Sequence, residues 1–223
     1  MARILLGVTG SVAAVKTPAL CEALAAGGHE VKVAPTRAAL SFFDPAALPA
    51  TGGSAALPVR DQHTVYLDED EWPQGRLFEV GEPVLHIELR KWADLLLIAP
   101  LDAQTLAKLA LGLSDNLLTC VYRAWDFDQP VVLAPAMNTL MWEHPATQRH
   151  LSQLMVDHHG GTPPVLGAGA EAFCDAINHL CARLRVVPPQ SKRLACGDEG
   201  MGGLAEVEEI VSVTHELALR HQS

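Results

Sequence analysis

The sequence predicts an α/β fold built on an open parallel sheet, and three observations carry that expectation. The apolar runs Ile4–Val8, Asp94–Pro100 and Pro130–Ala134 do not alternate, so each reads as a short strand buried on both faces. Each run is followed at once by residues that open a helix, the arrangement of a sheet wound with crossover helices. A chain of 223 residues with 49% hydrophobic residues can bury one substantial core but is short for two large domains, so residues 1–223 are expected to form one unit.

Composition narrows the function classes. Sixteen Lys and Arg against 26 Asp and Glu give a formal charge of -10, which argues against a non-specific grip on nucleic acid. The five cysteines, Cys21, Cys120, Cys174, Cys181 and Cys196, are odd in number and contain no Cys-x-x-Cys pair. A disulfide framework or structural zinc site is therefore not expected, and a reducing compartment is. The opening Met1–Gly7 lacks the long apolar stretch of a signal peptide, and no segment approaches the roughly 18 apolar residues of a membrane span. The expectation is a soluble, cytoplasmic protein without a membrane partner.

Taken in order, the first strand runs into Gly7-Val8-Thr9-Gly10-Ser11-Val12, where glycines and hydroxyls precede a helix that ends at Gly27-Gly28 and is expected to bend at Pro18. Free backbone N–H groups at such a turn suit a phosphate, although Ser11 serves equally as a plain helix cap. A second strand covers Glu30–Ala34, and Asp44–Pro58 reads as a surface loop. Val65-Tyr66-Leu67 makes a short strand, and the acidic run Asp68-Glu69-Asp70-Glu71 reads as a solvated face with no spacing that demands metal. A helix over Pro83–Trp92 puts Pro83 in its first turn and His86 near its positive end, which favours a neutral imidazole. A solitary His is by itself more often structural.

The strand Asp94–Pro100 exits into Leu101-Asp102-Ala103-Gln104-Thr105, a ligand-facing sheet end where Asp102 also suits a helix cap. A helix follows from Ser114 to Trp125, suited to packing and subunit contact. At the exit of Pro130–Ala134, Asn138 stands beside another helix start, as a cap or as an amide that can both donate to and accept from a ligand. Beyond it, 158–183 holds a loop, Gly161–Gly169, and an amphipathic helix, Glu171–Cys181. His158, His159, Cys174 and Cys181 have no recognised metal spacing, so no metal is expected. Leu184–Val187 is the last strand expected. The glycine-rich stretch 194–206 around Cys196 reads as a mobile loop, on which a thiol is either incidental or chemical, and Glu206–Arg220 as a terminal helix.

Three of these stretches together resemble one family. Pro135-Ala136-Met137-Asn138-Thr139-Leu140-Met141-Trp142 is similar to the signature Pro-x-Met-Asn-x-x-Met-Trp of the flavin-dependent cysteine decarboxylases. Leu85-His86-Ile87-Glu88-Leu89-Arg90-Lys91-Trp92 resembles that family's active-site histidine segment, and Ala195-Cys196-Gly197-Asp198-Glu199-Gly200-Met201-Gly202 its substrate flap. The resemblance covers most of the chain. It implies a flavodoxin-like or Rossmann-like three-layer fold with a doubly wound parallel sheet, FMN as cofactor, and a homotrimer with flavin sites at subunit contacts. Gly10, Ser11 and Val12 fall where the family holds the FMN phosphate. Thr36, Arg37, Ala38 and Phe42 fall in its second flavin loop, Phe42 being as readily a core aromatic, and Asp102, Ala103, Gln104, Thr105 and Ala136 beside the flavin ring. Substrate contacts fall to Met137, Asn138 and Ala195, and catalysis to His86 and Cys196.

Departures are Ala38 for Ser, Gln104 for Asn, Gly203-Leu204 where Ala-Met or Arg-Met is common, and a 158–183 connection longer than the family's. The substrate implied is 4'-phosphopantothenoylcysteine. Its thiol would be oxidised to a thioaldehyde, carbon dioxide lost to leave an enethiolate, and that species reduced and protonated with no net redox change. Two other readings stand beside this one. Some relatives inhibit a protein phosphatase, commonly with long acidic tails that are not seen here, and others act on peptide cysteines or carry a prenyl group.

Overall fold

The computed structural model describes residues 1–48, 64–75, 77, 79–193 and 199–222. Strands β1 (Arg3–Val8), β2 (Glu30–Pro35), β3 (Leu95–Leu101), β4 (Val131–Pro135) and β5 (Leu184–Val186) form an all-parallel sheet in the order β2-β1-β3-β4-β5. This is the doubly wound, flavodoxin-like order, and its winding reverses between β1 and β3. Helices follow in chain order: α1 (Thr17–Ala26), α2 (Asp68–Glu71), α3 (Leu85–Trp92), α4 (Ala103–Leu111), α5 (Leu117–Arg123), α6 (Thr139–Glu143), α7 (Pro145–Asp157), α8 (Ala170–Leu180) and α9 (Val207–Gln222). A separate antiparallel pair, β6 (Gln190–Arg193) and β7 (Glu199–Gly203), lies between β5 and α9.

Successive residues of the central strands feed two apolar layers, which is why these strands do not alternate. Leu5, Leu96, Ile98 and Leu133 pack on one face with α3, α4, α5, α7 and α8. Ile4, Leu6, Leu97 and Val132 pack on the other with α1 and α9. Helix α8 belongs to this core: Phe173 and Ile177 are fully buried, and Glu171 accepts a hydrogen bond from Nε1 of the signature Trp142 at 2.8 Å. Both outer strands are occupied from the side. Val33 of β2 exchanges backbone bonds with Thr64 and Tyr66, and the Asn178 side chain takes both the N–H and the C=O of Val186 on β5 at 2.8 Å each.

Several boundaries differ from the sequence expectation, each for a local reason. Ser11 caps a 3-10 turn, Val12–Lys16, and α1 begins afresh at Thr17, so Pro18 stands in a first turn where it costs nothing instead of bending a longer helix. Helix α3 starts at Leu85, leaving Pro83 ahead of it. Leu184–Val186 is not the last strand, because part of the glycine-rich stretch forms β7, which pairs with β6. The expected Asp44–Pro58 loop falls largely outside the described residues, after a 3-10 turn at Pro45–Ala47. Among the described residues no helix is long and apolar enough to cross a membrane.

His158, weighed above as a possible metal ligand, is buried in stacking contact with Phe127, and its Nε2 pairs with the Tyr122 hydroxyl at 3.1 Å. No group of three or more His, Cys, Asp or Glu that could hold a metal ion occurs among the described residues. Burial, and secondarily His159, push the His158 pKa down from 6.5 to about 4. The unfolded chain therefore takes up this proton at a higher pH than the folded chain. The stability it contributes is whole above pH 6.5 and is lost as pH falls toward 4, a change of about 3 kcal/mol. Urea unfolding across that window should show the decline, and His158→Gln, which keeps a partner for Tyr122, should flatten it.

Candidate active site

At the winding reversal the exits of β1 and β3 are fastened by one hydroxyl. Thr9 is fully buried, and its Oγ1 donates to the Pro100 carbonyl at 2.8 Å and accepts from the Asp102 amide at 2.7 Å, while the Thr9 amide bonds the same carbonyl. Asp102 is thereby set to cap α4, its Oδ1 accepting from the Thr105 amide at 2.6 Å. A Cβ on Gly10 would fall 3.2 Å from Asp102 Oδ2 and 2.6 Å from the Ala38 Cβ, so three loops abut where only glycine fits. The next exits are tied in series: the Ala136 amide donates to Leu101 O and the Met137 amide to Gly202 O, both at 2.9 Å. The second bond seats β7 on the signature, where a Cβ on Gly202 would meet Met137 O and one on Gly200 would meet the Thr139 side chain.

These loops line a half-open cavity of about 540 Å³. It brings together Gly10, Ser11, Val12, Asp102, Ala103, Gln104, Ala136, Met137 and Asn138, all expected at a flavin or substrate site. Thr36, Arg37, Ala38, Phe42 and Thr105 do not line it. Thr105 is buried in the first turn of α4, and Phe42 packs on the apolar layer under α1. Ala195 and Cys196 lie outside the described residues. Asn138 does cap α6, accepting from the Leu140 amide at 2.9 Å, and it also faces the cavity, so its two readings are compatible.

Sequence reasoning missed Thr9, whose partners come from another strand, and Lys16 and Met141 on the cavity wall. Lys16 pairs with Glu206 at 3.5 Å. It also misread the acidic run. Glu71 does not face solvent: its carboxylate accepts from the His86 amide at 2.9 Å and from His86 Nδ1 at 2.7 Å, while Asp68 caps α5 through the Leu117 amide. His86 itself is absent from the lining of its own chain's cavity.

Residues 1–219 match the family described as Flavoprotein. The chain belongs to that family. It is 42% identical over 222 residues to the phosphopantothenoylcysteine decarboxylase of Mus musculus, covering 99% of this chain and 89% of that protein. It is 45% identical over 210 residues to the corresponding protein of Arabidopsis thaliana, covering 94% and 82%. Among solved structures, a PPC decarboxylase mutant complexed with pantothenoylaminoethenethiol superposes with a TM-score of 0.76 at 42% identity, over 100% of this chain and 99% of that one. The FMN binding protein AtHal3 gives 0.71 at 44% identity, over 96% and 95%.

The Thr9 hydroxyl gives a direct test of how the site is held. Thr9→Val keeps the shape but removes the partner of the part-buried Asp102 amide, so unfolding free energy measured in urea should fall by about 1 to 2 kcal/mol, with Thr9→Ser close to the parent protein.

Proposed function

We propose that this protein decarboxylates 4'-phosphopantothenoylcysteine to 4'-phosphopantetheine with FMN as cofactor, a step of coenzyme A biosynthesis in the cytoplasm. The observation that carries the reading is one cavity walled by the Gly10–Val12 turn, the Asp102–Gln104 turn and the Ala136–Asn138 signature, with β7 seated over it. The activity named for the mouse and Arabidopsis relatives supports the same choice. The four described cysteines are free, in keeping with a reducing compartment.

The residues present fit the cofactor. Thr36 Oγ1 is buried with no partner in the described structure, a hydroxyl left for a ligand, and Gly10, whose Cβ would strike Ala38, lets the turn pack closely on the loop that carries Thr36. Gly10, Ser11 and Val12 would hold the phosphate, with Thr36, Arg37, Ala38 and Phe42 beside it. Asp102, Ala103, Gln104, Thr105 and Ala136 would support the ring. When bound, FMN supplies a reversible two-electron sink for the carbon that carries the substrate thiol.

The chain's own residues would do the rest. His86 takes or steers the thiol proton through Nε2, because Nδ1 is committed to Glu71. Asn138, with Met137 and Ala195, holds the carboxylate that leaves. Cys196, on the segment between β6 and β7, protonates the enethiolate once water is excluded. Anaerobic incubation with phosphopantothenoylcysteine should release carbon dioxide and phosphopantetheine, with the flavin spectrum ending oxidised. Cys196→Ser should still release carbon dioxide while product formation stalls. Carbon dioxide from a peptide ending in Cys, and none from phosphopantothenoylcysteine, would replace this substrate with a peptide.

A homotrimer completes the reading, with His86 delivered to the cavity of a neighbouring subunit. Its support is that His86 does not line its own cavity, and that apolar Val12, Val15 and Met141 on the wall are 48%, 56% and 54% exposed. Light scattering should give three copies. Co-refolding the inactive variants His86→Gln and Asn138→Ala in equal amounts should restore roughly a quarter of the parent activity, since a shared site draws one residue from each chain. No recovery would place both residues in one subunit's site.

A further inference from the structure

We propose that Glu71 is the positioning residue for His86, fixing which ring nitrogen carries the proton. The proposal rests on the decarboxylase reading only for what His86 then does to substrate. The geometry is a two-point grip: one carboxylate oxygen accepts from the His86 backbone amide at 2.9 Å, the other from Nδ1 at 2.7 Å. An ionised carboxylate can only accept, so the proton of a neutral ring is held on Nδ1 and Nε2 is left with its lone pair. The backbone bond removes the remaining freedom, because it ties the same carboxylate to the first turn of α3 and fixes the ring's angle to the helix.

Burial separates the two partners. The Glu71 side chain is 6% exposed and the His86 side chain 24%, so the acid lies behind the ring and an edge of the imidazole remains accessible. Glu71 is carried there by a segment with its own fastenings, not by a loose acidic loop. Val65 bridges to Val33, Tyr66 is buried and its hydroxyl accepts from Lys32 Nζ at 3.2 Å, and Asp70 accepts from the Leu67 amide at 2.9 Å. Asp68, one turn earlier in α2, accepts from the Leu117 amide at 2.8 Å and pins α2 to α5. A carboxylate held at both ends of its helix is suited to set an angle, and an acid serving only solubility would need none of these bonds.

Glu71→Gln turns this into a sharp test. An amide has one accepting and one donating end; with its oxygen on the His86 backbone amide, its NH2 faces Nδ1 and drives the ring proton to Nε2. Histidine-selective 15N NMR of the full-length protein, with the His86 signals identified by their loss in His86→Gln, reads the ring directly. The parent protein should show a protonated Nδ1 and, while neutral, a bare Nε2, and Glu71→Gln should show the reverse. With phosphopantothenoylcysteine, kcat should fall about 100-fold in Glu71→Gln with KM changed far less, the scale of a displaced acid–base group.

A bare Nδ1 in the parent protein overturns the proposal, as does a Glu71→Gln protein with the parent's ring signals and turnover within about twofold. The parent spectrum needs no variant, so it decides even if Glu71→Gln does not fold. If the parent protein releases no carbon dioxide the substrate reading fails, while the NMR result on Glu71 still stands.

Discussion

The site depends on a hydroxyl that touches no ligand pocket. At the point where the sheet reverses its winding, two strand exits lie side by side, and their loops would diverge if nothing joined them. Thr9 joins them by donating to one backbone group of the β3 exit and accepting from another. The hydroxyl itself is fully buried, so no water can take its place if either bond is lost. The Asp102 cap, the placement of α4 and the Gly10 turn all take their position from that junction, and the Ala136 and Met137 amides carry the alignment on to β4 and to β7.

Much of this was legible in the sequence because the information is local. The buried strands announce themselves by unbroken apolar runs, and each stretch of the cavity wall at Gly10–Val12, Asp102–Gln104 and Ala136–Asn138 follows directly on such a run. A ligand site at the carboxyl ends of parallel strands follows from the sheet itself. What could not be read was what depends on pairing across the chain. Thr9 looks like any turn residue until β1 and β3 are adjacent. Glu71 and His86 are fifteen residues apart, and an acidic run is ordinarily a solvated face.

The hairpin was hidden for a different reason. Glu199–Gly203 carries three glycines and has poor intrinsic strand character, so its composition reads as loop. Gly200 and Gly202 are required by what lies beneath them: Thr139 leaves no room for a Cβ at one, and Met137 O leaves none at the other, where φ is also +133°. The same residues that weaken the strand let it lie on the signature. His158, whose spacing to the nearby cysteines matched no metal site, has its ring held by Phe127 and Tyr122, another pairing across the chain.

The treatment of the two outer strands sets how copies of this chain can meet. An open sheet ordinarily offers two rows of unpaired backbone groups, templates for another chain's strand and a route to aggregation. Here Val33 spends its groups on Thr64 and Tyr66, and Val186 spends both of its own on one asparagine side chain. At those positions a foreign strand would have to displace bonds already made. Edge-to-edge growth, the route by which open sheets lengthen into fibres, is disfavoured there.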